Sequence, residues 1–541
     1  MRKTLLFIFV LSLFAGGYAQ QRAVVSKSLR DKAVKYERQA VKFTNNHQDE
    51  YIPGERMKSL VEDTQIGETR YDLQTNSSCQ NRIYLYDDGT MAAVWTLGFD
   101  DPGFDLRGTG YNYHDGSAWG PEPTERIEEE WTGWPSYAPY GENGEMVVNH
   151  TYVDGLWVGT RAEKGTGTWN YNYLAGPPGA VDISWPRAIT AGPDNNTIHT
   201  LYTTFVTYNG QTNAMGYSRS TDGGLTWDPE HLFFEDFGPD YYITMAGDIY
   251  DWAEPNAGTI AFLAGEAWTD LVLMKSTDNG DTWDKTIVWE CPYPLNSGTA
   301  TDTFYCADGS HHLAIDNSGK VHVVFGINRT YSDGASSFWF PFVDGVGYWN
   351  EDMPTFSDDL NALSPYGDPG TELVEDVNLI GWSQDLNGNG ELDLLEELGT
   401  YFIGLSSMVQ IAIDDLDQVF VVYSSGTEGY DNGTQNYRHL WTRASGDAGN
   451  TWGPFVHLNE NLIYIFEECV FPSISPTTDI DNFYLIYQAD SEPGLAVRGS
   501  KNSLMKTLVN IVTNAAESIE GSGKVMIRTQ KRKLDRPYTG Y

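Results

Sequence analysis

The stretch "STDGGLTW" at residues 220–227 returns with small changes as "STDNGDTW" at 276–283 and "SGDAGNTW" at 445–452. In each copy an aspartate (Asp222, Asp278, Asp447) stands two residues before a glycine (Gly224, Gly280, Gly449). That spacing suits a tight turn in which the carboxylate accepts backbone N–H groups and the glycine takes positive φ. A Thr-Trp pair then leads back into extended chain, so Trp227, Trp283 and Trp452 can pack beside the turn and lock a hairpin. An octapeptide repeated without a catalytic group is a structural stamp, and it sets the expectation of repeated β-hairpins.

The composition agrees. Of 541 residues, 40% are hydrophobic and 13% aromatic, with 55 Gly, 17 Trp and 33 Tyr, which supplies a core and favours strands and turns. The expected class is all-β. Residues 1–19 read as an export leader: Arg2 and Lys3, an apolar run from Leu5 to Phe14, then Gly17-Tyr18-Ala19 before Gln20. The run is about half of the ~20 residues that span a bilayer, so no transmembrane segment is expected and the mature chain is placed outside the cytoplasm, extracellular or periplasmic. Residues 20–70 form a polar N-terminal segment, 71–512 the main domain and 513–541 a basic tail. The net charge of −41 is uneven, because residues 51–512 carry 19 Lys and Arg against 68 Asp and Glu. Such a surface repels phosphate backbones and excludes nucleic acid as a partner.

The three octapeptides match the Asp-box pattern Ser-x-Asp-x-Gly-x-Thr-Trp, and over about residues 79–512 the chain resembles the sialidase-like (neuraminidase superfamily) β-propellers that carry these BNR repeats. The resemblance implies a ring of blades with the boxes on its outer edge, away from the active site. Seven apolar strand pairs fit a ring, with turns near residues 89, 143, 195, 257, 318, 416 and 481. The expected fold is a seven-bladed β-propeller. The alternative is a six-bladed ring in which the first or last pair is accessory or shares a blade.

The long gap from 318 to 416 calls for an insertion, about 345–400, and it contains "DLNGNGELDLLE". Asp385, Asn387, Asn389, the Glu391 carbonyl, Asp393 and Glu396 fall at positions 1, 3, 5, 7, 9 and 12 of an EF-hand-like calcium loop, with Gly390 at the sixth. With only a short "LDLLEELG" helix expected after it, the loop reads as a structural calcium clip.

Loops following the second strand of each pair should share the top face, among them "GFDDPGFD" (98–105), "EAWTD" (266–270), "INRTYSDGASSFWF" (327–340) and "GTEGYDNGTQNYRH" (426–439). Acids and aromatics together suit sugar rings, and Trp268 and Trp339, with His311 or His312 of "CADGSHHLAID", are the candidate ligand contacts. Adjacent histidines on a strand face opposite ways, so only one can face the axis. The resemblance further implies, for a sialidase, three arginines that hold a substrate carboxylate, a Tyr nucleophile activated by a Glu, and an acid/base Asp. Arg82-Ile83-Tyr84 approaches the Arg-Ile-Pro motif without its proline; Arg187, Arg438 and Arg443 are the further arginines, Glu254 and Tyr437 the candidate pair, and Asp100 or Asp101 the acid. No zinc-helix, Cys-x-x-Cys or serine-elbow motif supports other hydrolytic chemistry. The leading function is therefore binding of a glycan or other surface ligand, followed by a sialidase-like glycoside hydrolase and then by a protein-interaction scaffold.

Cys79, Cys291, Cys306 and Cys469 allow three pairings. A closed ring brings the first and seventh inner strands together, which implies disulfides Cys79–Cys469 and Cys291–Cys306.

Overall fold

The computed structural model describes residues 22–36, 63–99, 104–151, 155–399, 401–461, 464–479, 482–491 and 493–494. The expected leader (1–19), the basic tail (513–541), Asp100 and Asp101 lie outside the described residues.

The chain is all-β and forms a β-propeller arrangement of six blades. Blade one pairs Ile83–Leu85, Met91–Leu97 and Gly108–His114. Blade two runs from Thr132–Tyr140 to Asn170–Leu174, blade three from Ile183–Ala191 to Met215–Ser220, and blade four from Tyr250–Trp252 to Asp284–Trp289. Blade five is the largest, with Phe304–Ile315 inside and Leu379–Gly381 outside, and blade six runs from Ser406–Ile413 to Val456–His457. Glu468–Ile474 and Leu485–Asp490 then form a two-stranded sheet. That pair closes the circle against blade one, where the Arg82 and Leu85 N–H groups donate to Ser473 Oγ (3.1 Å) and Ser475 Oγ (3.0 Å). The expectation of seven full blades is thus corrected to six, because the last pair gains no further strand among the described residues.

Apolar side chains on both faces explain why inner and second strands are buried along most of their length: each sheet is covered by a neighbour on either side. Val324, Val346 and Tyr348 of blade five meet Val409, Ile411 and Val421 of blade six, and Val148 and Val158 of blade two meet Ile183, Ala188 and Ile198 of blade three. The core is therefore a circle of inter-blade contacts, each worth about 25 cal/mol per Å² removed from water.

The octapeptides staple this circle from one side. In the first, Ser220 Oγ donates to Asp222, the Gly224 N–H donates to Ser220 Oγ (2.9 Å), and both the N–H and hydroxyl of Thr226 donate to Asp222 (2.9 and 2.6 Å). The other two copies repeat these bonds. Each turn follows the third strand of its blade and rests on the blade before it. Trp227 packs with blade two, Trp452 stands edge-on to Tyr348 of blade five, and Asn279 of the second copy meets His199 of blade three at 3.1 Å. Gly280 (φ 85°) lies where a Cβ would overlap the Tyr217 hydroxyl, so the turn approaches its neighbour as closely as a glycine permits.

A second repeat lies at the start of the inner strands. Asn81, Trp134, Trp185, Asp248, Gly309, Met408 and Phe471 all take positive φ (50–85°), and the ladders of five of the sheets slip in register beside them. A bulge there turns each strand start around the ring axis. Three of these sites read Trp134-Pro135-Ser136, Trp185-Pro186-Arg187 and Phe471-Pro472-Ser473, a sequence signal as regular as the octapeptide.

Two expectations about segments change. Residues 345–400 are not a separate insertion, since Val346–Asn350 and Leu379–Gly381 are outer strands of blade five. The helix expected over "LDLLEELG" is absent; the segment is irregular with one isolated bridge, Glu397 to Gln435, and Leu392, Leu394 and Leu398 pack against Ala23, Val25, Phe342 and Leu405. Ala23 and Val25 belong to an N-terminal arm, residues 22–36, that docks on blade five. Val34–Lys35 pairs with Ser337–Trp339, and buried Arg22 meets buried Asp344 at 3.6 Å while its guanidinium lies 4.9 Å from the Trp382 ring.

The disulfide expectation is corrected as well: all four cysteines are free and buried. Cys79 packs with Val470 and Phe471, whereas Cys469, one residue earlier on the same strand, faces Ala412, Val422 and Leu440. Alternation along the strand thus sends the two thiols into different clusters. Cys291 and Cys306 share one apolar cluster but are unpaired; the Cys291 thiol donates to the Ala267 carbonyl at 3.5 Å. Burial pushes all four thiols upward, which makes them unreactive.

Candidate functional site

The bulged strand starts surround the mouth of the ring, and the chain itself fills that mouth. Asp248 Oδ2 accepts from the Asn76 N–H (2.8 Å), the Asn76 amide (2.9 Å), the Thr75 hydroxyl (3.2 Å) and Trp134 Nε1 (2.8 Å). Its other oxygen is 2.8 Å from the Arg187 guanidinium, with both side chains fully buried. Arg187 also donates to the Ser78 carbonyl (2.7 Å) and Thr75 Oγ1 (3.1 Å), and Ser78 Oγ bonds to the His311 backbone. Residues 75–78 are thus tied across blades two to five.

This closure decides what the candidate arginines do. Arg82 is buried and donates to the Gln74 carbonyl at 3.0 Å, while Arg438 is buried elsewhere and donates to the carbonyls of Gly404 (2.7 Å) and Leu405 (3.0 Å). Arg443 donates to Ile380 and Gly453 carbonyls and pairs with Asp376 at 2.8 Å. Arg187, Arg438 and Arg443 are bonded to carbonyls of the chain and, for Arg187, to buried Asp248, whereas Arg82 makes one carbonyl bond and keeps Nε and Nη1 buried without a hydrogen-bond partner among the described residues. Tyr437 donates to the Ser491 carbonyl at 3.1 Å. Glu254 pairs instead with Tyr84 at 3.2 Å, on the opposite end of the ring from the mouth. Burial and the neighbouring Glu254 charge hold Tyr84 well above an ordinary phenol, the reverse of an activated nucleophile.

The two histidines are also internal. His311 Nε2 donates to the Ile249 carbonyl at 3.1 Å, and His312 Nδ1 accepts the Ile411 N–H at 3.3 Å. Burial lowers them to about 4 and about 3, so both are neutral. Trp339 belongs to the core of blade five, 6% exposed, with the arm's Tyr36 ring at 6.0 Å. These three candidate contacts are therefore corrected to core residues.

Trp268 is different. It lines a top-face pocket of about 300 Å³ together with Glu266, Ile243, Asn296, Ser332 and Ser336. The turn after the second strand of blade four sets the first two: the Glu266 N–H donates to Thr269 Oγ1 (2.8 Å) and the Thr269 N–H returns to the Glu266 carbonyl (3.1 Å). Phe304 stands edge-on to the Trp268 ring at 5.3 Å and fixes its angle. An indole, a carboxylate, an amide and several hydroxyls meet there, and the lining contains no Lys, Arg or His. Glu266 and Trp268, and Ser332 and Ser336, were in two loops the sequence marks; Asn296 sits in a connector with no motif, so only the folded chain brings it in.

The calcium-loop residues form a second polar site. Asp385 accepts the N–H groups of Gly388 (2.6 Å) and Gly390 (2.7 Å), whose φ values are 71° and 90°. The amides of Asn387 and Asn389 donate to Asp393 (3.1 and 2.8 Å), while Glu391 and Glu396 lie outside this network with their side chains. Glu428 of blade six enters the loop as well, accepting from the Leu386 N–H (2.8 Å) and the Asn387 amide (2.6 Å). Among the described residues no group of three or more His, Cys, Asp or Glu is arranged to hold a metal ion, and no helix is long and apolar enough to cross a membrane.

No protein-family model and no curated protein matches the chain. Among solved structures it is similar to a PL25 ulvan lyase bound to a glucuronate–sulfated rhamnose disaccharide unit, at 10% identity and TM-score 0.40 over 81% of this chain and 98% of that one. It is also similar to Aleuria aurantia lectin with α-methyl-L-fucoside (9%, TM-score 0.33, 72% and 98%) and to Trypanosoma rangeli sialidase with the inhibitor DANA (13%, TM-score 0.32, 68% and 55%). Likeness at this level assigns no activity.

Glu254 offers a pH test. Burial raises its carboxyl from 4.5 to about 7, with the Tyr84 hydrogen bond opposing. The unfolded chain loses this proton first, so the group favours folding at low pH and that contribution is lost as pH rises from 4.5 to about 7. The difference in unfolding free energy between the parent and Glu254→Gln should therefore fall across this window. A difference that stays flat would show an ordinary carboxylate.

Proposed function

We propose that the chain is an exported Asp-box propeller of the sialidase-like kind that binds a neutral glycan in the Trp268 pocket. The observation that carries this reading is the pocket's chemistry: an indole face held by Phe304, hydroxyl and amide groups, one carboxylate and no cation. An indole covers the apolar face of a sugar ring, and Glu266 and Asn296 can bind its hydroxyls. A sialylated, sulfated or uronate sugar would bring its anion beside Glu266 without a counter-charge, in a chain of net charge −41. Binding rather than hydrolysis is favoured because Arg187 and Arg438 are bonded inside the ring and Arg82 is buried beneath residues 74–78, so they do not form an open three-arginine cluster.

Glycan-array binding and calorimetry test the reading. Neutral oligosaccharides should bind, and Trp268→Ala should weaken binding at least about tenfold in protein that still folds cooperatively, the loss of a ring contact of about 1.5 kcal/mol. Hits confined to anionic glycans, or full affinity in Trp268→Ala, would overturn it. No hits would move the function to a protein-interaction scaffold.

The reading includes one structural calcium ion, taken by oxygens of Asp385, Asn387, Asn389, the Glu391 carbonyl, Asp393 and Glu396, with Glu428 ordering the loop from blade six. Its support is the oxygen-rich twelve-residue spacing and the positive φ of Gly388 and Gly390. Calcium titration of the purified chain should show one site, lost in Asp385→Ala; no heat of binding in the parent would end the claim.

A further inference from the structure

A larger concavity, about 490 Å³, opens on the face opposite the Trp268 pocket, where the last two-stranded sheet meets blade one. Tyr86, Asp87, His114, Asp479 and Tyr484 line it. It plays no part in the glycan reading. Its chemistry suits a cation: aromatic faces and carboxylates with no Lys or Arg in the lining. The wall already holds one ammonium, since Lys164 Nζ sits 4.6 Å from the Tyr86 ring centroid and 2.9 Å from Asp88. Asp115 stands exposed beside it at the end of blade one.

One segment of this chain has the complementary charge. Residues 524–536 carry Lys524, Arg528, Lys531, Arg532, Lys533 and Arg536 against the single acid Asp535, in contrast to the acidic ring. The described chain reaches Gly494 at the far end of the same two-stranded sheet, a strand of six residues from the pocket, or about 20 Å. Lys531 follows Gly494 by 37 residues, and the random-coil span for that number of residues is on the order of 35 Å, more than the distance to be covered. A tether of this kind gives an effective concentration on the order of millimolar, so even a weak site fills.

We infer that the basic segment 524–536 docks in the Tyr86–Tyr484 pocket of its own chain, with a lysine or arginine side chain between the tyrosines and the Asp87 and Asp479 carboxylates. The contact is electrostatic and exposed at its rim, so it weakens as salt shortens the Debye length from about 10 Å at 0.1 M to about 3 Å at 1 M.

Zero-length carbodiimide coupling of the full chain, mapped by mass spectrometry, tests this. At low salt, Lys524, Lys531 or Lys533 should couple to Asp87, Asp88, Asp115 or Asp479 in monomeric product. The yield should drop at least about tenfold at 1 M salt and in the full-length Lys531→Glu/Lys533→Glu chain, whose ring is untouched. A third chain, Asp87→Asn, which alters one exposed carboxylate of the lining, should lower the yield of tail links to the remaining acids Asp88, Asp115 and Asp479 while keeping its melting temperature. Tail lysines coupled only to other acids, no tail links at all, or links found only between two copies would each overturn the inference.

Discussion

Everything at the mouth of the ring depends on one buried ion pair. Arg187 on the third inner strand and Asp248 at the start of the fourth lie 2.8 Å apart with no exposure, and the carboxylate also takes Trp134 from blade two and Thr75 and Asn76 from the segment ahead of blade one. A buried charge pair is tolerated only where its remaining lone pairs and protons are satisfied, because desolvation offsets much of the attraction. Here Asp248 Oδ2 and the Arg187 Nη2 donor draw parts of three blades and the crossing segment to a single point, while Arg187 Nε stays buried without a hydrogen-bond partner. The left-handed backbone at Trp134, Trp185 and Asp248 turns the strand starts aside so that they can meet there.

The other end of the ring is held by a different device. Each octapeptide satisfies its own backbone with Ser, Asp and Thr side chains and so presents a finished surface to the preceding blade. The turn is local chemistry, and that is why it could be read from eight residues. The strand pairs were legible for the same reason, through alternation and turn residues. The Trp-Pro repeats at 134 and 185 and the Phe-Pro at 471 were equally local, and they mark the strand bulges.

What was not legible depends on contacts between distant parts of the chain. Trp268 and Trp339 look alike in sequence, each in an aromatic and acidic loop. Only one stays available, because the arm's Val34–Lys35 strand lies beside Trp339, some three hundred residues away in the chain. Glu254 was paired in expectation with Tyr437, yet the ring brings it to Tyr84. Arg82, Arg187 and Arg438 could be found as buried arginines only once carbonyls at Gln74, Ser78, Leu405 and Gly404 were seen to face them. Glu428 entering the 385–396 loop and Cys469 turning away from Cys79 follow from strand register, which one residue of slippage would reverse.

The mouth of the ring is a structural closure, and the proposed ligand site lies outward from it at the Trp268 pocket. Urea unfolding of Arg187→Met, Asp248→Asn and the double variant, with glycan affinity measured on each folded protein, tests that division most directly. Each single change should cost about 3–5 kcal/mol, the double should cost less than their sum, and affinity should hold. Single variants that lose under about 0.5 kcal/mol of stability while losing glycan binding would contradict it, because Arg187 would then serve a ligand rather than the ring.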